Sequence, residues 1–169
     1  VAGLGCGGFS RIGKSAGKSD SDSISIIRKA LDLGVNFIDT AAGYGTETLV
    51  GEAIKGYDRD TLVLSTKAMV HKANGRQSPK QVTLSLEQSL QSLGVDYVEV
   101  FHLHGVHPNE YDYVYETLLP FLTREQEKGK FKFLGITEVP QEDPGHKTLV
   151  RAVQTEFFPV IMVAFHMLH

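Results

Sequence analysis

Short apolar runs alternate with amphipathic stretches along the whole chain. "VAGLG" at residues 1–5 reads as a first strand. In "SDSISIIRKALDLG", Ser and Asp open the stretch, Gly34 closes it, and Ile24, Ile27 and Leu31 share one helical face. "VNFID" predicts a strand ending on Asp39, and "TETLVGEAIKG" a short helix with Thr46 as N-cap and Gly56 beyond its end. "TLVLSTK" predicts the next strand. "SPKQVTLSLEQSLQSLG" is the plainest helix: Ser78 caps it, Pro79 sits in its first turn, and Val82, Leu86, Leu90 and Leu93 form its stripe. "YVEVFHLH" predicts a strand, and "NEYDYVYETLLPFLTREQEKG" a helical region bent or broken at Pro120. "KFKFLGIT" predicts a strand, "DPGHKTLVRAVQT" a helix, and "VIMVAFHML" a last strand.

About six strands alternating with helices imply a parallel sheet with right-handed crossovers. An open doubly wound sheet and a (β/α) barrel both fit that pattern. Polar residues close successive strands: Asp39, Lys67, His104 and Glu138. A barrel gathers all such ends around one mouth, whereas an open sheet spreads them along an edge. The barrel is therefore the expected fold.

Composition narrows the function without deciding it. The chain has 169 residues, 41% hydrophobic and 22% charged, which suits a globular domain with its own core. A net charge of -3 gives no electrostatic case for nucleic acid or an anionic membrane surface, and no apolar stretch has the length of a membrane span. One cysteine, Cys6, excludes an internal disulfide and a multi-cysteine zinc site, and points to a reducing, cytoplasmic setting. Both ends fall in apolar sequence without the polar character of natural termini, so we expect one partial domain, residues 1–169, of a longer protein.

The strand-end residues suggest chemistry when taken with Tyr44, which lies in the small-residue loop after Asp39. Taken singly, a strand-end Asp is a turn former and a strand-end Lys is solvated. Together, an ammonium beside a phenol favours the phenolate and lowers the tyrosine pKa, making Tyr44 a usable general acid. Asp39 would hold Lys67 charged and oriented, and His104 would donate to a substrate oxygen. Such a set polarises and protonates a carbonyl. No side chain supplies hydride, so a nicotinamide cofactor is implied.

"GVNFIDTAAGYGTETLVG" resembles the first signature of the aldo-keto reductases, with Gly34, Asp39, Thr40, Ala41, Tyr44, Glu47 and Gly51 in place and Asn36 where many members have Arg. "LSTKA" resembles the family's lysine strand, "VDYVEVFHLHG" its histidine strand, and "GKFKFLGIT" the approach to its fifth strand. The resemblance implies a (β/α)8 TIM barrel, here about the first six β/α units, and NAD(P)H-dependent reduction of a small aldehyde or ketone, or the reverse. It implies Tyr44 as general acid with Asp39, Lys67 and His104 as its partners, and NADP(H) or NAD(H) as cofactor. Gly8, Asp39, Thr137 and Glu138 are the expected cofactor-binding residues. Thr137 and Glu138 stand where many members have Ser and Asn, and Met162 where many have Gln. The family's last strands, which hold most of the adenine and pyrophosphate contacts, have no counterpart here, so the segment alone is expected to be inactive.

Other readings follow from single features. Gly3, Gly5 and Gly8 fit the dinucleotide fingerprint GxGxxG, which would make Asp39 a ribose ligand, but the fingerprint must open a helix at once and "FSRIGKSAGKSDSDS" does not read as one. His102 and His104 share one strand face, as zinc ligands of barrel hydrolases do. His71, His107 and His146 read as loop residues and make a poor ligand set, so no metal is expected and His102 is read as an interior residue beneath His104. Cys6 reads as a small buried thiol. Tyr111, Tyr113 and Tyr115 read as cover for the barrel. A cofactor-binding barrel that regulates without turnover remains an alternative.

Overall fold

The computed structural model describes residues 2–165. Strand β1 (Gly3–Gly5) is followed by a glycine-rich turn and helix α1 (Asp20–Asp32). Ser19 starts α1 with a capping box, accepting from Asp22 N while Asp22 Oδ2 accepts from Ser19 N, each at 3.1 Å. Strand β2 (Phe37–Asp39), helix α2 (Glu47–Ile54) and strand β3 (Val63–Met69) come next. A small hairpin, β4 (His71–Lys72) with β5 (Gly75–Arg76), precedes helix α3 (Pro79–Leu93), which Ser78 and Gln81 open with a second capping box. Strand β6 (Val98–Val106) leads into α4 (Tyr111–Tyr113), a π-helical segment (Val114–Leu118) and α5 (Leu119–Glu127). Strand β7 (Phe131–Glu138), helix α6 (Lys147–Gln154) and strand β8 (Val160–Met162) complete the order.

Six strands form one parallel sheet in the order β1-β2-β3-β6-β7-β8. The order never reverses, so there is no switch point, and the doubly wound alternative is excluded. The sheet is a curled half-barrel with helices on its outer face. No helix opens at Gly8, as a dinucleotide fingerprint would require; α1 starts only at Asp20. Strand alternation sorts the side chains. One face carries Ile38, Leu64, Phe101, Leu103, Leu134 and Ile136, all buried in the core with the α3 stripe of Val82, Leu86, Leu90 and Leu93. The other face carries Asp39, Ser65, Lys67 and His102 in adjoining register, which places a polar layer inside the half-barrel.

Several elements differ from the sequence expectation. Ile24 packs against the core at its edge, and Ser23 is buried beside it on α1, where its Oγ donates to Ile12 O at 2.9 Å. Thr46 holds the N-cap position of α2, as expected, but makes no side-chain capping bond, because its hydroxyl donates to Cys6 O. The irregularity expected at Pro120 is the π segment just before it; widening that turn accommodates a residue without an N–H in the first turn of α5. Helix α6 begins at Lys147, not Asp143: Pro144 and Gly145 hold a turn, and Asp143 accepts from Lys147 N (2.9 Å) and Thr148 N (2.8 Å) to cap the helix from outside. The last strand is shorter than expected, and residues 166–168 of that expectation lie outside the described residues. The hairpin β4–β5 was not foreseen, since strands of two residues give no alternation to read.

Candidate active site

Asp39, Lys67 and His104 stand near the C-terminal ends of β2, β3 and β6, and a 3-10 turn at Ala42–Tyr44 brings Tyr44 over them. Two hydroxyl contacts and one backbone bond fix that turn. Thr46 Oγ1 donates to Cys6 O (3.0 Å), so Thr40 Oγ1 donates to Thr46 Oγ1 (3.0 Å), and Thr40 N donates to Ser65 O (2.8 Å). The Tyr44 ring then lies against Gly7, where an added Cβ would come within 2.3 Å of it. Only a residue without a side chain leaves the ring this place.

The four proposed catalytic residues converge. Lys67, 1% exposed, donates from Nζ to Asp39 Oδ2 at 2.5 Å and to Thr40 O at 2.9 Å. Its ammonium sits 5.1 Å from the centre of the Tyr44 ring. The His104 ring meets Tyr44 edge-on, with centroids 5.6 Å apart. Ser65 Oγ donates to the other carboxylate oxygen of Asp39 at 2.7 Å. A cleft of about 270 Å³ opens here, with Tyr44, Lys67 and His104 on one side and Thr137, Glu138 and Met162 on the other. Asp39 lies behind Lys67 and does not line the cleft, nor does Gly8, which adopts φ 66° in the turn after β1.

The electrostatics differ from the sequence expectation in one respect. The Tyr44 phenol is raised above its ordinary value, first by burial and then by the Asp39 charge. Lys67 does not lower it, because Asp39 holds that ammonium at 2.5 Å and the pair presents little net positive charge. Burial lowers the Lys67 pKa, opposed by Asp39. Burial, then the Lys67 charge, pushes His104 down to about 4, so the ring is neutral at physiological pH and has a single N–H to give. His102, fully buried one layer below, is pushed down to about 3 for the same first reason. The Cys6 thiol is pushed up to about 12 by burial and then by Asp39, which makes it no nucleophile.

The neighbours on β7 are also engaged. Thr137 Oγ1 accepts from Gly105 N at 2.8 Å. The Glu138 carboxylate accepts from His146 Nδ1 (2.8 and 2.9 Å) and from Ala164 N (3.0 Å). Among the described residues, no group of three His, Cys, Asp or Glu side chains is placed to hold a metal around His102 and His104. The sequence reading missed Gly7, Ser65 and His146. Ser65 was within reach of it, lying two residues before Lys67 on the same strand face.

The sequence model of the aldo/keto reductase family matches residues 3–167. The chain belongs to the aldo/keto reductase family. L-galactose dehydrogenase of Arabidopsis thaliana is 31% identical over 127 residues, covering 72% of this chain and 40% of that protein. Among solved structures, a thermostable aldo-keto reductase crystallised with the inhibitor epalrestat superposes with a TM-score of 0.76 at 25% identity, over 96% of this chain and 57% of that one. An aldo/keto reductase from Klebsiella pneumoniae in complex with NADP and acetate gives 0.72 at 27% identity, over 97% and 54%. The chain thus spans roughly half the length of these family members or less, and its fold is part of the family's (β/α)8 barrel.

Proposed function

We propose that the protein is an NAD(P)-dependent oxidoreductase that reduces a small aldehyde or ketone to an alcohol, or runs the reverse reaction, with Tyr44 as the general acid. The observation that carries this is the assembly of phenol, ammonium and imidazole at one cleft, with Lys67 beneath the Tyr44 ring and bound to Asp39. Tyr44 keeps its proton at neutral pH, as an ordinary phenol does, and burial disfavours the phenolate further. It gives that proton to the carbonyl oxygen as the carbon is reduced, and Lys67, with one N–H committed neither to Asp39 nor to Thr40 O, is the donor for the phenolate oxygen left behind. Asp39 holds Lys67 in place, and neutral His104 donates its one N–H to the same substrate oxygen.

NADP(H) or NAD(H) supplies the hydride when bound. The residues present suit its carboxamide. Thr137 accepts from Gly105 N and so keeps its hydroxyl hydrogen to donate, while Glu138 retains acceptor capacity for an amide N–H. Gly8 and Asp39 complete the proposed cofactor set on the β1–β2 side of the mouth.

The test is NADPH absorbance with a panel of carbonyl substrates, and L-galactose with the oxidised cofactor for the reverse direction. Tyr44→Phe is expected to lower kcat by about 10²-fold or more. A Tyr44→Phe protein as fast as the parent would remove Tyr44 from the chemistry. Cofactor binding with no turnover of any substrate would favour the regulatory barrel.

A further inference from the structure

We infer that Ser65 and His102 are positioning residues for the Asp39–Lys67 pair, through a buried hydrogen-bond line running from His102 Nδ1–H to Ser65 Oγ–H to Asp39 Oδ1. The inference rests on the function proposed above, and it concerns side chains one layer below that site.

The geometry sets the direction of each proton. Asp39 takes Lys67 on Oδ2 at 2.5 Å and Ser65 on Oδ1 at 2.7 Å. A serine hydroxyl has one proton, and the ionised carboxylate, an acceptor only, receives it. Ser65 Oγ also lies 3.4 Å from His102 Nδ1. With its proton committed to Asp39, Ser65 can only accept there, so the imidazole proton belongs on Nδ1. Nε2 is then the bare nitrogen, and it is the atom that lacks a hydrogen-bond partner among the described residues. Ser65 and His102 are both fully buried, so bulk water does not reach either side chain.

The fold has made room for this ring. His102 and Gly135 are register partners on β6 and β7, and a Cβ at Gly135 would come within 2.4 Å of the imidazole. His102 is also the register partner of Lys67, and Asp39 that of Ser65. Two neighbouring layers of the half-barrel interior are thus tied by one line. An apolar residue would fill the buried position at lower desolvation cost than an imidazole with one nitrogen unpaired. The line gives that cost a purpose: it orients the carboxylate that aims Lys67 at Tyr44, and small displacements in such a set cost rate.

Two measurements on the full-length protein decide the matter. The first is the nitrogen-15 NMR signature of the His102 side chain, which needs no turnover. The Nδ1–H tautomer is expected, and Ser65→Ala should weaken that preference; an Nε2–H tautomer in the parent overturns the inference. The second is kinetic. Ser65→Ala and His102→Leu are each expected to lower kcat about tenfold with KM for the carbonyl substrate changed less than about twofold. His102→Leu should not lower the unfolding temperature at neutral pH. His102→Gln, which retains an N–H donor, should recover most of the loss. Parent-like kcat in both Ser65→Ala and His102→Leu, in a protein that Tyr44→Phe inactivates, overturns the inference and leaves the proposed function standing. A parent that turns over no substrate sinks the proposed function instead, and the tautomer then judges the line by itself.

Discussion

The parallel strands carry a partly buried ion pair at each end, and the two pairs are built to different specifications. At the floor, Arg59 meets Glu99 through two parallel bonds, Nη1 to Oε1 at 3.1 Å and Nη2 to Oε2 at 2.9 Å. The same guanidinium donates to Leu62 O and Tyr97 O and stacks on the Tyr97 ring at 4.3 Å. Glu99 also accepts from Leu64 N at 2.8 Å and faces Lys132 at 3.3 Å. Both partners of that pair are bound from several sides. At the mouth, Lys67 is more deeply buried than Arg59, yet its ammonium uses two donors, to Asp39 and Thr40 O, and lies 5.1 Å from the centre of the Tyr44 ring. A forked pair, with both terminal guanidinium nitrogens engaged and only Nε left without a partner, fixes a loop to a strand. An unsaturated point charge beside a phenol can respond to a proton leaving it. The division matches the barrel rule that the N-terminal face serves stability and the C-terminal face chemistry.

That contrast can be broken from either end. The largest expected effect is at the mouth: Lys67→Met should lower kcat for carbonyl reduction by about 10³-fold, since the phenolate loses its hydrogen-bond donor. Steady-state NADPH oxidation measures it, and a loss below tenfold would show that the ammonium is a packing element. At the floor, Glu99→Ala should cost about 3 kcal/mol of stability, because Arg59 and Leu64 N lose their shared acceptor. Chemical denaturation measures that cost, and kcat per folded molecule should stay near the parent value. A matching drop in kcat would mean that the two ends are coupled through β3 and β6.

How far this was readable beforehand depends on the range of each interaction. Asp39, Lys67, His104 and Glu138 were legible because each closes a short apolar run, and the parallel sheet followed from β/α alternation. Ser65 was legible in principle, on the same face of β3 as Lys67. The ladder from Thr40 through Thr46 to Cys6 O was not, since it joins residues 40 apart through a turn whose geometry no periodicity announces. His146 as the partner of Glu138 depends on a left-handed backbone at φ 51°, an uncommon conformation for a residue other than glycine. The direction of the Tyr44 shift was misread for a related reason. A lysine near a phenol lowers its pKa only if the charge is free to act, and the 2.5 Å contact to Asp39 is a distance that spacing in sequence does not reveal.

The smallest effect tests the same contrast through pH. The mouth and the layer beneath it hold two histidines whose folded pKa values are depressed by burial, His104 to about 4 and His102 to about 3, while the floor pair includes no histidine. In the unfolded chain both titrate near the ordinary value of about 6.5. As pH falls below that value the unfolded state takes up protons that the folded state refuses, so stability falls. The stability these neutral rings confer is complete above the unfolded pKa and is lost downward from it. Each histidine contributes a slope approaching about 1.4 kcal/mol per pH unit. Between about pH 6.5 and 5 the ordinary carboxylates are still largely ionised, so the two rings should dominate the change. Denaturation midpoints across that window are expected to fall with pH, and His102→Leu should remove about half of the slope. Glu99→Ala should shift the whole curve down without changing its slope. If His102→Leu leaves the slope as it was, the imidazole is not held neutral by its burial, and the acid sensitivity does not come from the layer beneath the mouth.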